Sequence, residues 1–358
     1  MKYILKKNSI NIYEIAKRAG LSTTTVSRVI NGSPHVSQET RGKVQRIIEE
    51  ADFVPNFFAR GLNMKQTRTV GIVCPVISDI NHATMVSALE KYLRLYDFDT
   101  VLCCVEKNYE NMARYFDMLI NKHADAIFLI GFCADNHENI NAIENLSKQI
   151  PVIVVNGVLE MDNVYNVVCN EKYMAVSIVQ KLYLSGYSHI AYIYDTTTYS
   201  GIKKLEGYRK GVEQCGLFNE NLTLQIPEDI SMSDISIAAN KIADFMNSFE
   251  TMPDSIMTAD DVLAVAALKA AALIGIKLPV IGWYNNLYSQ CCTPTITSVD
   301  IDLAKMGETA VLLLLNVLNK KYVPKCIEVQ ARWIERESYN SGLIANYDDF
   351  YHPKGVEK

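Results

Sequence analysis

The sequence predicts a small all-α headpiece followed by a larger α/β body built on doubly wound parallel sheets. Three observations lead to this fold class: uneven charge, capped helical patterns before residue 54, and apolar strand-like runs that alternate with helical stretches from Val70 onward. The 358 residues exceed one ordinary core, since roughly 150 residues make a typical domain. Hydrophobic residues at 49% and charged residues at 21% are typical of a folded soluble chain.

The net charge of −5 conceals a basic N-terminal segment ahead of an acidic body. Residues 1 to 65 hold eleven lysines and arginines against five acidic residues, a balance of +6, and the remaining 24 basic and 35 acidic residues give −11. A short basic module favours one local site for a polyanion. The acidic body argues against a nucleoid-packing protein.

The N-terminal segment predicts three short helices around one apolar core. Asn11, Ser22 and Ser37 are positioned to cap them, because a side-chain oxygen before a helix accepts from a free backbone N–H. Gly20 supplies the backbone freedom of a tight turn between the first two helices, and this arrangement is the helix-turn-helix motif. The residues predicted to face inward are Ile12, Ile15, Ala16 and Ala19, then Val26, Val29 and Ile30, then Val44, Ile47, Ile48 and Ala51.

The second helix opens with three threonines in the run GLSTTTVSRVING, although threonine is a poor helix former. The residues that then face outward are Thr23, Thr24, Ser27 and Arg28. In a DNA major groove a threonine offers a methyl and a hydroxyl, and an arginine can bind guanine through two hydrogen bonds. Threonines near a helix start can instead merely satisfy free backbone N–H groups. That alternative explains one or two threonines but not Arg28 beside them, so we interpret this face as a DNA-reading surface.

The stretch from Asn11 to Val73 resembles, nearly end to end, the DNA-binding region of the LacI/GalR transcription regulators. The specific run is A-x-x-A-G-[LV]-S-x-x-T-V-S-R-V-[IL]-N, and the later chain follows the family pattern to about residue 338. The resemblance implies base reading by Thr23, Thr24 and Arg28 and phosphate contacts by Thr25 and Ser27. It implies further DNA contacts at Asn31, Asn56, Ala59, Arg60 and Leu62.

The segment NFFARGL after Pro55 predicts barely two helical turns, which are marginal alone in water because nucleation is unfavourable. The resemblance implies a hinge helix that orders on operator DNA beside its dimer mate. Leu62 matches the leucine that wedges into the minor groove, where an apolar wedge kinks the duplex and makes affinity depend on DNA deformability. The alternative is a flexible linker with an incidental leucine.

Alternating strands and helices in the body indicate parallel sheets covered on both faces, and about 270 residues indicate two lobes. The strand-like runs are TVGIVCPV, DTVLCCV, ADAIFLIG, PVIVVN, HIAYIYD, SIMTA and PVIGW. The resemblance implies a clamshell of the periplasmic-binding-protein type with crossovers near residues 168, 295 and 323. The predicted domains are a headpiece at 1–54, a hinge and linker at 55–68, an effector-binding and dimerisation domain at 69–340, and a tail at 341–358.

Open α/β sheets bind ligands beyond the carboxyl ends of their strands, so residues just after the runs are candidates for an effector site. They are Ser78, Asp79, Asn81, His82, Asn156, Lys204, Asp260, Asp261, Trp283 and Tyr284. Several depart from the family: His82 and Ala83 stand where an aromatic pair is usual, and Lys204 replaces a frequent arginine. A lysine is a point charge without the planar fork of arginine. For each candidate, capping or packing is an equally good interpretation.

The sequence predicts no enzymatic activity, no metal site and no cofactor. It lacks P-loop, zinc-protease and nucleophile-elbow motifs, and the adjacent Asp260 and Asp261 at a helix start are typical of capping rather than acid/base chemistry. Nine cysteines without C-x-x-C spacing predict reduced, buried thiols. No signal-peptide pattern or long apolar run is present, so we expect a cytoplasmic protein with no membrane contact rather than an extracytoplasmic solute-binding protein.

The combined interpretation is a homodimeric transcription regulator, most simply a repressor, that binds double-stranded operator DNA. Its expected effector is a sugar, phosphosugar, nucleobase or nucleoside bound between the lobes. The alternative is a regulator without a small-molecule effector, controlled by a protein partner or by expression level. The tail has no heptad repeat, so a tetramer-forming coiled coil is not expected.

Overall fold

The chain divides into two compact units, residues 1–67 and 68–358, which we call the headpiece and the body. The computed structural model describes residues 12–30, 35–51, 67–105, 112–132, 137–195, 198–217, 222–227 and 234–339. Within the predicted hinge and linker at 55–68, residues 67 and 68 are described and the others are not. The predicted tail at 341–358 lies outside the described ranges, so the limits of both segments stay predictions.

The headpiece contains the three predicted helices, α1 (Ile12–Ala19), α2 (Thr23–Ile30) and α3 (Gln38–Glu50). Helix α1 ends at Gly20, whose φ of +64° lets the Gly20 and Leu21 amides turn back onto the carbonyls of Lys17 and Ala16. Ser37 caps α3 by accepting from the Thr40 amide. The predicted core is confirmed, with Ile15, Ala16, Ala19, Val26, Val29 and Val44 buried and Ile12, Ile30, Ile47, Ile48 and Ala51 packed around them.

The body contains two six-stranded sheets, and each defines one lobe. The first lobe contains β1 (Thr69–Cys74), β2 (Asp99–Cys104), β3 (Ala126–Ile130), β4 (Val152–Val155), β5 (Val164–Cys169) and β11 (Cys326–Val329). These strands are all parallel, in the order β11-β5-β4-β3-β1-β2. Parallel strands buried on both faces explain the near-continuous apolar runs.

The second lobe contains β6 (Ile190–Tyr194), β7 (Thr223–Gln225), β8 (Ser255–Thr258), β9 (Val280–Trp283), β10 (Thr297–Asp300) and β12 (Arg332–Ile334). Their order is β12-β10-β9-β8-β6-β7, and only the β10/β12 pair among these described strands is antiparallel. The two sheets confirm the predicted two-lobed, doubly wound α/β fold.

Helices cover the sheets of both lobes. In chain order they are α4 (Ile80–Leu95), α5 (Met112–Asn121), α6 (His137–Ser147), α7 (Glu171–Leu184), α8 (Tyr199–Gln214), α9 (Ile235–Asn247), α10 (Asp261–Leu273), α11 (Leu287–Cys291) and α12 (Leu303–Leu318). Helix α12 returns to the first lobe, where it packs on α4, β4 and β5.

The chain crosses between the lobes at residue 170, at residues 301–302 and at residues 330–331. The first position agrees with the predicted 168, but the predictions near 295 and 323 are wrong because both precede a strand that the chain completes before it crosses. The strands β5, β7, β10, β11 and β12 were also missing from the predicted runs. They are short or carry polar residues within the strand, as in VYNVVC and CIEV.

Three of the described cysteines, Cys74, Cys103 and Cys169, are buried, and all eight described cysteines are free thiols. The prediction of buried thiols is therefore wrong for Cys291 and Cys326, which are exposed. Cys291 is the last residue of α11, and Cys326 begins the edge strand β11. In the described part of the chain, no helix is both long and apolar enough to span a bilayer.

Candidate nucleic-acid interface and ligand site

Helix α2 turns its polar residues away from the headpiece core. Val26 and Val29 are buried, whereas Thr24 and Arg28 are exposed. The hydroxyl of Ser22 accepts from the Thr25 amide at 3.1 Å and lies 2.8 Å from the Thr25 hydroxyl. Thr25 thus takes part in the capping arrangement, while Thr24 and Arg28 leave an outward surface.

Of the remaining residues predicted to contact DNA, three are partly buried and five are not described. Thr23, Thr25 and Ser27 are partly buried. Asn31, Asn56, Ala59, Arg60 and Leu62 lie outside the described residues. Their contacts with DNA stay predictions.

In the body, polar side chains gather where strands of both sheets end. Asn156 follows β4, Glu171 follows β5, and Tyr284 follows β9. Carboxyl ends of parallel strands meet at one edge of a sheet, which brings residues from distant parts of the chain together. We call the resulting group the buried polar cluster, and it consists of Asn156, Glu171, Ser200, Lys204, Trp283 and Tyr284.

Lys204 is held in the cluster by acceptors and aromatic rings. Its side chain is 2% exposed, and its ammonium donates to the Ala259 carbonyl at 2.7 Å and to the Tyr284 hydroxyl at 3.2 Å. The ammonium also lies 4.6 Å from the centre of the Tyr284 ring and 5.3 Å from that of Trp283. A cation at this range is attracted by the negative face of an aromatic ring. These contacts surround the charge with internal partners.

Glu171 is the carboxyl at the centre of the cluster. It is fully buried, and its Oε1 accepts from the Ser200 hydroxyl at 2.7 Å. Its Oε2 makes no close hydrogen bond with the described residues, although the Trp283 and Asn156 side chains lie near enough to lower the pKa of the carboxyl. Burial raises the pKa of this carboxyl, and the Lys204 charge and the Ser200 hydrogen bond offset that rise only in part.

Other buried polar atoms near Glu171 also lack partners within the described ranges. They are Asn156 Oδ1, Trp283 Nε1 and the Tyr192 hydroxyl. A buried polar group without a hydrogen bond destabilises a fold by roughly 1 to 3 kcal/mol. Such groups in one place are a reason to look for a function there.

Asp261 is fully buried and holds the loop after β9. Its carboxylate accepts from the Ser298 hydroxyl at 2.7 Å and from the Asn286 amide at 2.8 Å. The Asp261 carboxyl lies so close to the backbone at position 282 that this residue must be glycine, because a Cβ there would lie 2.2 Å from Asp261 Oδ1. Burial raises the pKa of Asp261 to about 6, although its hydrogen bonds act in the opposite direction.

Asp260 caps α10, with Oδ1 accepting from the Leu263 amide at 2.7 Å. Burial raises the pKa of this carboxyl, and the neighbouring charge of Asp195 raises it further. The predicted capping role is therefore confirmed for Asp260.

The first lobe contributes residues from the start of α4. Asp79 caps that helix by accepting from the Asn81 and His82 amides, and His82 Nδ1 lies 3.1 Å from the Val76 carbonyl. Asn81 Oδ1 accepts from the Asn286 amide group at 3.2 Å, a hydrogen bond that joins the two lobes. Ser78 is exposed and is not a member of the cluster.

The structure thus groups four predicted residues, Asn156, Lys204, Trp283 and Tyr284, in one cluster. Asp79 and Asp260 cap helices, as the alternative interpretation expected, whereas Asp261 accepts from Ser298 and Asn286, which lie far along the chain. Sequence reasoning missed Glu171 and Ser200. Glu171 follows β5, which is not among the predicted strand-like runs. Prediction of that strand would have made Glu171 a candidate, because it comes just after the strand ends.

Comparisons with known proteins identify a related family for the headpiece and for the body. Residues 11–56 match bacterial regulatory proteins of the lacI family, and residues 179–339 match a periplasmic binding protein-like domain. An HTH-type transcriptional regulator of Lachnoclostridium phytofermentans is 32% identical over 344 residues, which cover 92% of this chain and 100% of that protein. The chain belongs to the LacI family. Members of this family are transcriptional regulators and not enzymes, as predicted.

Other LacI-family proteins match over similar lengths. Catabolite control protein A of Priestia megaterium is 28% identical, over 89% of this chain and 96% of that protein. A lac repressor dimer solved with operator and the anti-inducer ONPF has a TM-score of 0.81 at 20% identity, covering 92% of this chain and 99% of that one. A complex of the regulator CelR with cellobiose has a TM-score of 0.67 at 23% identity, with coverage of 92% and 99%. At these identities the structures show the shared fold alone.

Proposed function

We propose that this LacI-family regulator is a homodimeric repressor whose affinity for operator DNA is set by a small molecule bound between the two lobes. The observation that carries the proposal is the buried polar cluster, which combines strand ends of both lobes and holds buried polar atoms without partners in the described residues. Ligand sites of open α/β sheets lie at such strand ends. The CelR complex with cellobiose and the operator-bound lac repressor dimer support the same arrangement by analogy.

The DNA-reading surface in this proposal is the outward face of α2. Thr24 and Arg28 read base edges together with Thr23, and Thr25 and Ser27 contact phosphates. Two α2 helices in a dimer match the symmetry-related half-sites of a pseudopalindromic operator. Leu62 and its neighbours in the hinge bend the central base step.

Control by a ligand requires different affinities for two arrangements of the lobes. The hydrogen bond from Asn286 to Asn81 joins the lobes directly, and Asp261 holds the backbone of Asn286. We therefore assign Lys204, Glu171 and Asn156 to the ligand and Asp261 to the loop that carries the interlobe contact.

Operator selection with the purified full chain tests the regulator. We expect enrichment of one pseudopalindromic sequence, and enrichment of no sequence would contradict the proposal. Titration of that operator, with and without metabolites that raise the thermal stability of the chain, then tests ligand control. A ligand at 100 times its dissociation constant adds roughly 2.7 kcal/mol to stability.

One observation favours the second candidate, a regulator without a small-molecule effector. Lys204 already has internal partners in its carbonyl, hydroxyl and ring contacts, so part of the cluster is satisfied by the chain itself. If no metabolite changes operator affinity, control by a protein partner or by expression level becomes the better proposal.

A further inference from the structure

The loop after β9, residues 284–286, joins the buried polar cluster to the first lobe, and we call it the β9 loop. The Tyr284 hydroxyl accepts from the Lys204 ammonium at 3.2 Å. Two residues later, the side-chain amide of Asn286 donates to Asn81 Oδ1 at 3.2 Å. One short loop therefore contacts the proposed ligand site at one end and the opposite lobe at the other.

The backbone of the β9 loop is unusual for residues other than glycine. Tyr284 and Asn285 have φ values of +90° and +51°. A side chain at positive φ crowds its own backbone, so this conformation persists only where surrounding contacts enforce it. The Asn285 amide donates to the Ser298 hydroxyl at 3.0 Å, and the Asn285 side-chain oxygen accepts from the Arg336 guanidinium. The middle of the loop is therefore held by residues from distant parts of the second lobe.

Asn286 is held through both its backbone and its side chain. Its amide donates to the Asp261 carboxylate at 2.8 Å, and its side-chain oxygen accepts from the Tyr288 amide at 2.9 Å. The side-chain nitrogen that faces Asn81 thus has a position fixed by the loop. A displacement of Tyr284 therefore changes the position of Asn286 as well.

The position of the Tyr284 hydroxyl depends on the buried polar cluster. The Ser200 hydroxyl donates its one hydrogen to Glu171, so the Tyr284 hydroxyl, 3.2 Å from Ser200, donates to the serine oxygen. Without Tyr284, Ser200 retains Glu171 as its acceptor and Lys204 retains the Ala259 carbonyl. A ligand hydroxyl can therefore take the place of the phenol without leaving either buried group unpaired.

We propose that the β9 loop transmits a change at the buried polar cluster to the contact between the lobes. Tyr284 contacts the cluster, and Asn286 holds the first lobe through Asn81. This inference rests on the proposed function, because the cluster is the ligand site in that proposal, and it names how that site is coupled to the lobes. A ligand hydroxyl that replaces the Tyr284 phenol releases the loop and weakens the hydrogen bond to Asn81. That loss changes the balance between arrangements of the lobes.

Hydrogen exchange of the full chain, measured by mass spectrometry, tests this coupling without a ligand. Tyr284→Phe removes the hydroxyl and retains the ring. We expect exchange in the first turn of α4, which contains Asn81, to rise roughly threefold or more, although this helix covers the other lobe. Tyr288→Phe is the matched control, because it removes the hydroxyl of a nearby exposed tyrosine and should leave α4 unchanged. Unchanged α4 exchange in folded Tyr284→Phe overturns the inference.

A double variant tests whether the effect passes through Asn81. Asn81→Ala removes the acceptor and should by itself raise exchange in α4. Adding Tyr284→Phe should then have almost no further effect, because residues that act through one shared contact are not additive. A full additional rise would mean that Tyr284 affects α4 by another route, and it overturns the inference. Ser298→Ala, which frees the Asn285 amide, replaces Tyr284→Phe in both tests if that variant fails to fold.

Operator titration separates this inference from the proposed function. Coupled exchange together with unchanged operator affinity in Tyr284→Phe supports the β9 loop as the link between cluster and lobe, and it contradicts control of operator binding through the lobes. A metabolite that changes the operator affinity of the parent and of Tyr284→Phe equally supports ligand control and overturns the β9 loop as its route.

Discussion

The DNA-reading face of α2 and the buried polar cluster are both sets of polar residues, but they differ in what holds them. Thr24 and Arg28 stand on the exposed side of a short helix whose opposite side makes the headpiece core. Lys204 and Glu171 lie inside the body and depend on partners from distant parts of the chain. The difference teaches that an exposed polar surface can change without affecting the fold, whereas a buried polar cluster contributes to stability and function together.

Lys204→Ala should have the largest effect on stability. Removing the ammonium leaves Glu171 and Asp260 buried without their opposing charge, and breaking a buried charge pair typically lowers the free energy of unfolding by about 3 to 5 kcal/mol. Urea unfolding followed by tryptophan fluorescence measures it, since both tryptophans, Trp283 and Trp333, lie in the body.

Lys203→Ala is the matched control for that variant. Lys203 directly precedes Lys204 on α8, but it pairs with Glu206 at the surface, where an ion pair contributes about 0 to 1 kcal/mol. Equal losses in the two variants would mean that burial of the Lys204 charge does not distinguish the cluster from an ordinary surface.

Asp261→Asn should alter how stability depends on pH. The pKa of Asp261 is raised to about 6, whereas a carboxyl in the unfolded chain titrates near 4. Between these values the folded protein retains a proton that the unfolded chain has lost, so the contribution of Asp261 to stability falls as pH rises through this window. We expect the variant to gain roughly 3 kcal/mol relative to the parent between pH 4 and pH 7.

Asn can retain both contacts, since its oxygen can accept from the Asn286 amide and its amide can donate to Ser298. Asp261→Ala loses both hydrogen bonds and should be destabilised at every pH. If the pH profiles of the parent and Asp261→Asn run parallel, Asp261 does not titrate as the buried carboxyl described here.

Arg28→Ala should leave the stability of the body unchanged and relax DNA specificity. An arginine that binds guanine through two hydrogen bonds contributes roughly 1 to 3 kcal/mol of discrimination at one base pair. Binding to the selected operator and to its single-base variants measures the effect. Arg94→Ala, at an exposed arginine in the body, is the control, and unchanged base preference in Arg28→Ala would remove Arg28 from the reading surface.

Ser22→Ala should have the smallest effect, confined to α2. The Ser22 hydroxyl accepts from the Thr25 amide, and loss of such a cap destabilises a helix by about 1 kcal/mol. This loss raises the equilibrium constant for local opening of the helix roughly fivefold. Hydrogen exchange of the α2 amides in the full chain measures it. Ser37→Ala should produce the same change in α3 instead, and a change spread over both helices in either variant would contradict local capping.

Sequence reasoning located the headpiece core, the two-lobed body and part of the cluster. It placed Asn156 and Tyr284 in the cluster because residues just after buried strands predictably reach the same edge of a sheet. Lys204 lies within α8, and the family resemblance pointed to it. It missed Glu171 because β5 carries Tyr165 and Asn166 within the strand and does not form a continuous apolar run. It also could not tell that Asp261 is used by Ser298 and the Asn286 amide, since those partners lie far along the chain.

The sequence by itself determined which helices form in the headpiece, which of their faces are apolar, and that the body is an α/β structure of two lobes. These features follow from local periodicity, capping residues and buried runs, which act over a few neighbouring residues. Only the tertiary structure decided where the chain crosses between lobes, which carboxyls lose their water, and which polar atoms remain without partners. Desolvation and hydrogen bonding in the interior depend on residues that meet only after the chain has folded, as Glu171 and Ser200 do.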